Sequence, residues 1–87
     1  MTFLTVLLAA VEAVDEEAAL VARAKAGDRD AFGELVRRYQ KSVFRVARRM
    51  CRTDEDAWDV TQDTFIRAMN AMPGFDTRYR FFTWIYR

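Results

Sequence analysis

The last thirteen residues of the chain, here called the aromatic segment (75–87), combine two kinds of side chain that suit an unpaired nucleic-acid strand. Half of the chain's aromatic residues lie there, interleaved with arginines: Phe75, Tyr79, Phe81, Phe82, Trp84 and Tyr86, with Arg78, Arg80 and Arg87. Bases stack on aromatic rings for roughly 1–3 kcal/mol each, and arginine neutralises phosphates. Aromatic residues also dominate small cores, so composition alone favours a packed core equally.

A second candidate surface combines polar and apolar side chains on one predicted helix face. At helical spacing this face carries Asp59, Gln62, Asp63, Ile66 and Met69, with Phe65 beside them. A solvated polar face is the ordinary interpretation of such residues. An apolar strip rimmed by acids is instead typical of a protein-binding surface. The spacing alone leaves both interpretations open.

Several kinds of chemistry are excluded by composition. The chain has no histidine and one cysteine, Cys51, so it has no internal disulfide and no histidine catalysis, and a zinc site is not expected. It also lacks a phosphate-binding glycine loop and a nucleophile–base pair. We therefore expect a protein that is not an enzyme, with no catalytic residue, metal or cofactor, in the reducing cytoplasm.

Charge is segregated along the chain although the net charge is only +1. Residues 1–27 carry −2, residues 28–52 carry +5, residues 53–72 carry −4 and residues 73–87 carry +2. Alternation of sign on this scale indicates that different faces meet different partners.

The elements that must position these residues are all predicted to be helices, because no stretch shows the alternation typical of a strand. A first helix is predicted over about Asp15 to Ala26, ended by Gly27, and Asp28 is predicted to cap a second. The second helix has an apolar face with a period of 3.6 residues: Phe32, Leu35, Val36, Tyr39, Val43, Val46, Ala47 and Met50. Its basic face either is solvated or guides DNA; it consists of Arg37, Arg38, Lys41, Arg45, Arg48 and Arg49.

Thr53 or Asp54 is predicted to cap a third helix, which ends near Met72 before Pro73-Gly74. Its packing face is predicted to contain Ala57, Val60, Thr64, Ala68 and Ala71, and Trp58 is predicted to pack on the second helix. A fourth helix begins near Arg78–Phe81. The prediction is an all-α fold, a compact bundle of three to four helices.

Residues 1–14 are apolar but fit neither a signal peptide nor a membrane span. They have no positive flank, are interrupted by Glu12 and run into Asp15-Glu16-Glu17. The sequence leaves three interpretations open for this extension: an extra amphipathic helix, a wrongly assigned start, or a cloning remnant.

Three motifs, in order, resemble the ECF (extracytoplasmic function) group of bacterial RNA polymerase sigma factors. LVARAKAGD at 20–28, followed by Ala31-Phe32 and LVRRY at 35–39, resembles the opening of the family's region 2. DVTQDTFIRA at 59–68 matches its D-x-x-Q-[ED]-x-F-[IL]-x-A helix, and FFTWIYR at 81–87 matches its F-x-T-W-L-Y-R run. The resemblance covers about Ala19 to Arg87, and it implies that 15–87 is a sigma region 2 helical domain cut short within its last helix.

The resemblance implies a partner for each surface. The D-x-x-Q helix docks on the β′ clamp helices of core RNA polymerase in the family, which assigns this role to Asp59, Gln62, Asp63, Phe65 and Met69. The aromatic segment corresponds to the part that opens the promoter −10 element and holds its non-template strand. The corresponding DNA-binding residues are Phe75, Arg78, Arg80, Phe81, Thr83, Trp84 and Arg87, with Phe75 lining a pocket for a flipped base.

A second hypothesis follows from the same resemblance. ECF sigma factors are typically held inactive by an anti-sigma factor that covers these surfaces. This chain is then a protein-interaction bundle whose aromatic segment is core or a partner-docking groove, without DNA activity of its own. Salt-sensitive binding of single-stranded −10 DNA distinguishes the two hypotheses.

Overall fold

The computed structural model describes residues 2–86. They form four α-helices and one short 3-10 turn: α1 (Phe3–Lys25), α2 (Arg29–Met50), α3 (Asp54–Ala71), the 3-10 turn Met72–Gly74, and α4 (Phe81–Ile85). No strand occurs within the described residues, so the predicted all-α bundle is confirmed. The helix α2 packs against both α1 and α3, which makes it the centre of the fold.

The connection between α1 and α2 is closed by the residues that the sequence predicted. Gly27 has a φ of +103°, and the Asp28 amide donates to the Arg23 carbonyl at 2.9 Å, which satisfies an otherwise unpaired end of α1. The Asp28 carboxylate then accepts from the amides of Asp30 and Ala31 at 3.0 and 3.1 Å. The bond from the Ala31 amide and the Arg23 guanidinium hold the pKa of Asp28 below its ordinary value.

The core lies where α2 meets the other elements. Leu35 is completely buried, and the residues that cluster with it come from every helix: Val21, Ala24, Ala31, Phe32, Val43, Phe65, Ala68, Met72, Phe75, Phe81 and Ile85. Ala47 and Ala57 are buried as well. The predicted apolar face of α2 is correct for its first four turns. It is wrong for Val46 and Met50, which are exposed, although Ala47 between them is buried as predicted.

The third helix is capped by Thr53, whose hydroxyl accepts from the Asp56 amide at 3.1 Å. Its buried residues are Ala57, Thr61, Phe65 and Ala68, so the predicted packing face is rotated by about one residue. Val60 is exposed, whereas Thr61 is buried and donates its hydroxyl to the Ala57 carbonyl at 2.8 Å. Thr61 is tolerated inside because this bond satisfies its polar group.

The first helix is longer than predicted, since it begins at Phe3 and not near Asp15. Only Val21 and Ala24 of α1 are buried, so residues 3–14 continue the helix beyond the part that packs on the bundle. None of the helices within residues 2–86 is long and apolar enough to cross a membrane.

Candidate interaction surfaces

A groove of about 520 Å³ runs between α2 and α3. Phe32, Val36 and Gln40 line it from α2, and Trp58, Asp59, Gln62, Ile66 and Met69 line it from α3. Ile66 and Met69 are 50% and 43% exposed, so apolar surface is open to solvent beside the polar rim. This arrangement is typical of a protein-binding surface.

The structure brings together four of the five residues that the sequence assigned to polymerase docking. Asp59, Gln62 and Met69 are exposed in the groove, and Phe65 forms part of its floor as a buried core residue. Asp63 does not line the groove. Its carboxylate pairs with Arg67 one turn along α3, at 2.9 Å.

Trp58 was predicted to pack against α2, and its stacking on Phe44 confirms this, with ring centroids 4.2 Å apart and planes 24° apart. The ring is nevertheless 46% exposed and also lines the groove. Sequence reasoning missed this second position, and it missed the α2 wall of the groove altogether. Spacing within one helix carries no information about which neighbouring helix completes a groove.

In the aromatic segment, Phe75 and Phe81 are buried at 1% exposure each. The Phe81 ring lies 5.6 Å from that of Tyr39 and 6.4 Å from those of Phe32 and Phe75. For these two residues the structure therefore supports the core interpretation. In this conformation their rings are not available for a base to stack on.

Tyr79 is exposed in the loop before α4, and the other accessible rings of the aromatic segment lie on two flanks of α4. Phe82 and Tyr86, one turn apart, form an edge-to-face pair at 4.9 Å, and Phe82 also contacts Tyr39 at 5.5 Å. Trp84 lies on the other flank, half-buried with its ring edge-to-face against Phe75 at 4.9 Å. Thr83 is exposed between the two flanks.

Phe82 and Tyr86 were named in the aromatic segment but not among the predicted DNA-binding residues. The signal that identifies them is helical periodicity from the start of α4. Phe81 and Ile85 are four residues apart and buried, so Phe82 and Tyr86 share the next face and are exposed.

The cations near these rings differ in how far they are already paired. Arg78 binds Asp76 at 2.7 Å, and this bond holds the pKa of Asp76 below its ordinary value. Arg80 is exposed at the start of α4, and Arg87 lies outside the described residues. Burial raises the pKa of Tyr86, and the charge of Arg45 on α2 opposes that shift.

Residues 35–87 match the family model for sigma-70 region 2. The RNA polymerase sigma factor NccH of Alcaligenes xylosoxydans xylosoxydans is 42% identical over 85% of this chain and 39% of its own length. The ECF sigma factor SigW of Bacillus subtilis is 36% identical over 77% of the chain, and the ECF sigma-E factor of Haemophilus influenzae 41% identical over 79%, each over 36% of its own length. The chain therefore spans less than two-fifths of these curated relatives.

A solved structure gives the same result in three dimensions. An engineered region 2 of sigmaE, determined by NMR in complex with GTAAAA, superposes with a TM-score of 0.76 and 41% sequence identity. The match covers 82% of this chain and 74% of that one. By sequence and by fold, the chain belongs to the sigma-70 region 2 family.

Proposed function

We propose that this domain is the region 2 module of an ECF sigma factor, which binds core RNA polymerase and captures the non-template strand of the promoter −10 element. The observation that carries the proposal is its likeness to the sigmaE region 2 that was solved with GTAAAA. A protein of this kind is a transcription initiation factor, and the opening of the promoter is driven by binding.

The groove between α2 and α3 is the proposed docking site for the β′ clamp helices. Its centre offers Trp58, Ile66 and Met69, an aromatic and two flexible apolar side chains. Asp59 and Gln62 on its rim supply polar contacts that fix the register of a docked helix. This order, apolar inside and polar outside, is how binding energy is distributed at interfaces.

The proposed DNA surface is the exposed part of the aromatic segment. Separating one base-pair step costs roughly 1.4 kcal/mol of stacking, and each base stacked on an aromatic ring returns about 1–3 kcal/mol. Phe82, Tyr86 and Trp84 offer such rings, while Phe81 and Ile85 hold them in place from below. The free energy of stacking a few captured bases therefore offsets the cost of opening a comparable number of base-pair steps. No hydrolysis of a nucleotide is needed.

Cations complete the surface in this proposal. Arg80 and Arg87 are assigned to phosphate contacts, and Arg78 joins them only when its bond to Asp76 is exchanged for one to phosphate. The contact between Phe75 and a flipped base remains a prediction, since it requires the loop 75–80 to open around a ring that is now covered.

The burial of Phe75 and Phe81 favours a second candidate function. With these rings in the core, the groove and the aromatic flanks serve protein partners only, namely polymerase and an anti-sigma factor. In this alternative the domain has no affinity of its own for single-stranded DNA.

Binding of a fluorescent GTAAAA oligonucleotide distinguishes the two functions. The parent chain is titrated at two salt concentrations beside a scrambled hexamer of the same composition. We expect preference for GTAAAA and weaker binding at higher salt, because Arg–phosphate contacts release counterions. Equal binding of both hexamers, or none, favours the interaction-only alternative.

A further inference from the structure

The amino-terminal half of α1 carries an apolar surface that the bundle does not cover. Leu4, Leu7, Val11 and Val14 recur at intervals of three and four residues, and each is about half exposed or more (47–64%). The opposite side of the same helix carries Thr2, Thr5, Glu12 and Glu16. Phe3, Val6 and Leu8 are exposed as well and widen this apolar side. The segment is therefore an amphipathic helix, and the row along the middle of its open apolar side is here called the apolar seam (Leu4, Leu7, Val11, Val14).

The charge of the surrounding residues limits which kinds of partner can bind the seam. The first basic residue of the chain is Arg23, and four acids (Glu12, Asp15, Glu16, Glu17) precede it. A helix without cations is poorly suited to nucleic acid or to an anionic lipid surface, both of which attract Lys and Arg. A second apolar helix face fits the seam better.

We propose that the apolar seam pairs with the same seam of a second copy of this chain, in antiparallel orientation. When Leu4 lies opposite Val14 of the other copy, Leu7 lies opposite Val11, so one register matches the whole seam to itself. A self-complementary contact of this kind is what a two-fold symmetric dimer requires.

Electrostatics selects the antiparallel orientation. The first turn of α1 contains no acidic residue, so its positive helix end lacks a carboxylate of its own. In the register above, Asp15 of each copy lies beside Phe3 of the other, next to that helix end. Glu16 and Glu17 already contact Arg38 and Tyr39 of α2, whereas Asp15 has no ion-pair partner among the described residues. A parallel dimer would instead place the three acids of both copies side by side.

The seam predicts a weak dimer. It extends over about three helical turns, roughly 16 Å, so it buries less than the roughly 1,200 Å² at which stable interfaces begin. We expect a reversible monomer–dimer equilibrium that is measurable at high micromolar concentrations of the chain. The inference does not rest on the proposed function, since the groove between α2 and α3 takes no part in it. Only Val14, at one end of the seam, lies near the aromatic segment, where it lines a cavity with Arg78, Arg80 and Phe81.

The test is sedimentation equilibrium of the 87-residue chain over a wide concentration range. The seam variant is Leu7→Glu with Val11→Glu. The matched control is Ala9→Glu with Ala13→Glu, which adds the same two charges, four residues apart, on the other side of the helix. Far-UV circular dichroism of each variant establishes that the bundle is folded.

We expect the parent and the control to dimerise and the seam variant to stay monomeric at every concentration. Asp15→Lys tests the orientation: it weakens an antiparallel dimer several-fold, whereas it strengthens a parallel one by relieving repulsion. The proposal is wrong if the parent is monomeric, or if the seam variant and the control variant have equally weakened dimers. A monomeric parent that co-sediments with phosphatidylcholine–phosphatidylglycerol vesicles overturns it too and assigns the seam to lipid.

Discussion

Phe81 and Phe82 are adjacent residues of the same type, and the structure predicts opposite effects of changing them. Phe81 is 1% exposed and contacts the rings of Phe32, Tyr39, Phe75 and Trp84. Truncation of a buried phenylalanine to alanine costs about 3–5 kcal/mol, out of about 5–15 kcal/mol for a whole domain. For a domain of this size each kcal/mol lowers Tm by about 4–8 °C, so Phe81→Ala should lower Tm by at least about 12 °C.

Phe82 is 42% exposed, and within residues 2–86 its ring pairs with those of Tyr39 and Tyr86. Phe82→Ala should therefore cost no more than about 1 kcal/mol of stability, as is usual for partly exposed positions. If Phe82 is a base platform, losing it removes about 1–3 kcal/mol of stacking, which weakens binding of GTAAAA by about 5- to 150-fold.

Thermal unfolding by circular dichroism and fluorescence anisotropy with labelled GTAAAA measure the two effects separately. Phe81→Leu, a milder change that keeps an apolar side chain in the core, serves as the folded control for binding. If Phe82→Ala unfolds the domain as readily as Phe81→Ala, the assigned burial of the two rings is wrong. If Phe81→Leu loses DNA affinity at unchanged Tm while Phe82→Ala keeps it, the assignment of Phe82 as a base platform is wrong.

Two further predictions concern stability. Leu35→Ala, at the completely buried centre of α2, should lower the free energy of unfolding by about 2–5 kcal/mol, measured by urea titration, whereas the same change at exposed Met50 should have little effect. The pKa values of Asp28 and Asp76 lie below their ordinary 3.8, so their contribution is complete above pH 3.8 and is lost as pH falls through the lower folded values. Asp28→Asn keeps a capping side chain but removes this charge, so the urea midpoint of the variant should fall less steeply with decreasing pH below pH 3.8. If the urea midpoints of parent and variant fall equally steeply there, the Asp28 charge does not contribute to stability as stated.

Local signals in the sequence predicted the helix boundaries well. Gly27, Asp28 and Thr53 each act through their own backbone or the next turn, so their effect is visible without the rest of the fold. The exception is the start of α1. Residues 3–14 make no core contact that a packing pattern would reveal, and Thr2 caps the helix earlier than expected.

The buried face of each helix was harder to predict than its ends, because burial depends on which other helices pack against it. Val60 and Thr61 differ by one helical step, and the spacing placed Val60 on the packing face of α3. Thr61 is buried in its place, because its hydroxyl bonds to the Ala57 carbonyl. The same uncertainty separated Phe81 from Phe82. Periodicity separates the two faces of α4, and the packing of Phe81 on Phe32 and Tyr39 of α2 decides which face enters the core.

The most direct test of the central claim is binding of this 87-residue chain, labelled at Cys51, to purified core RNA polymerase. The groove variant is Asp59→Ala with Gln62→Ala. Its matched control is Glu55→Ala with Asn70→Ala, an acid and an amide that are exposed on the same helix but do not line the groove. We expect parent and control to bind alike and the groove variant to bind at least about tenfold more weakly, since each lost interface contact at such a site costs on the order of 1 kcal/mol. Equal binding by all three chains, or no binding by the parent, would contradict this expectation.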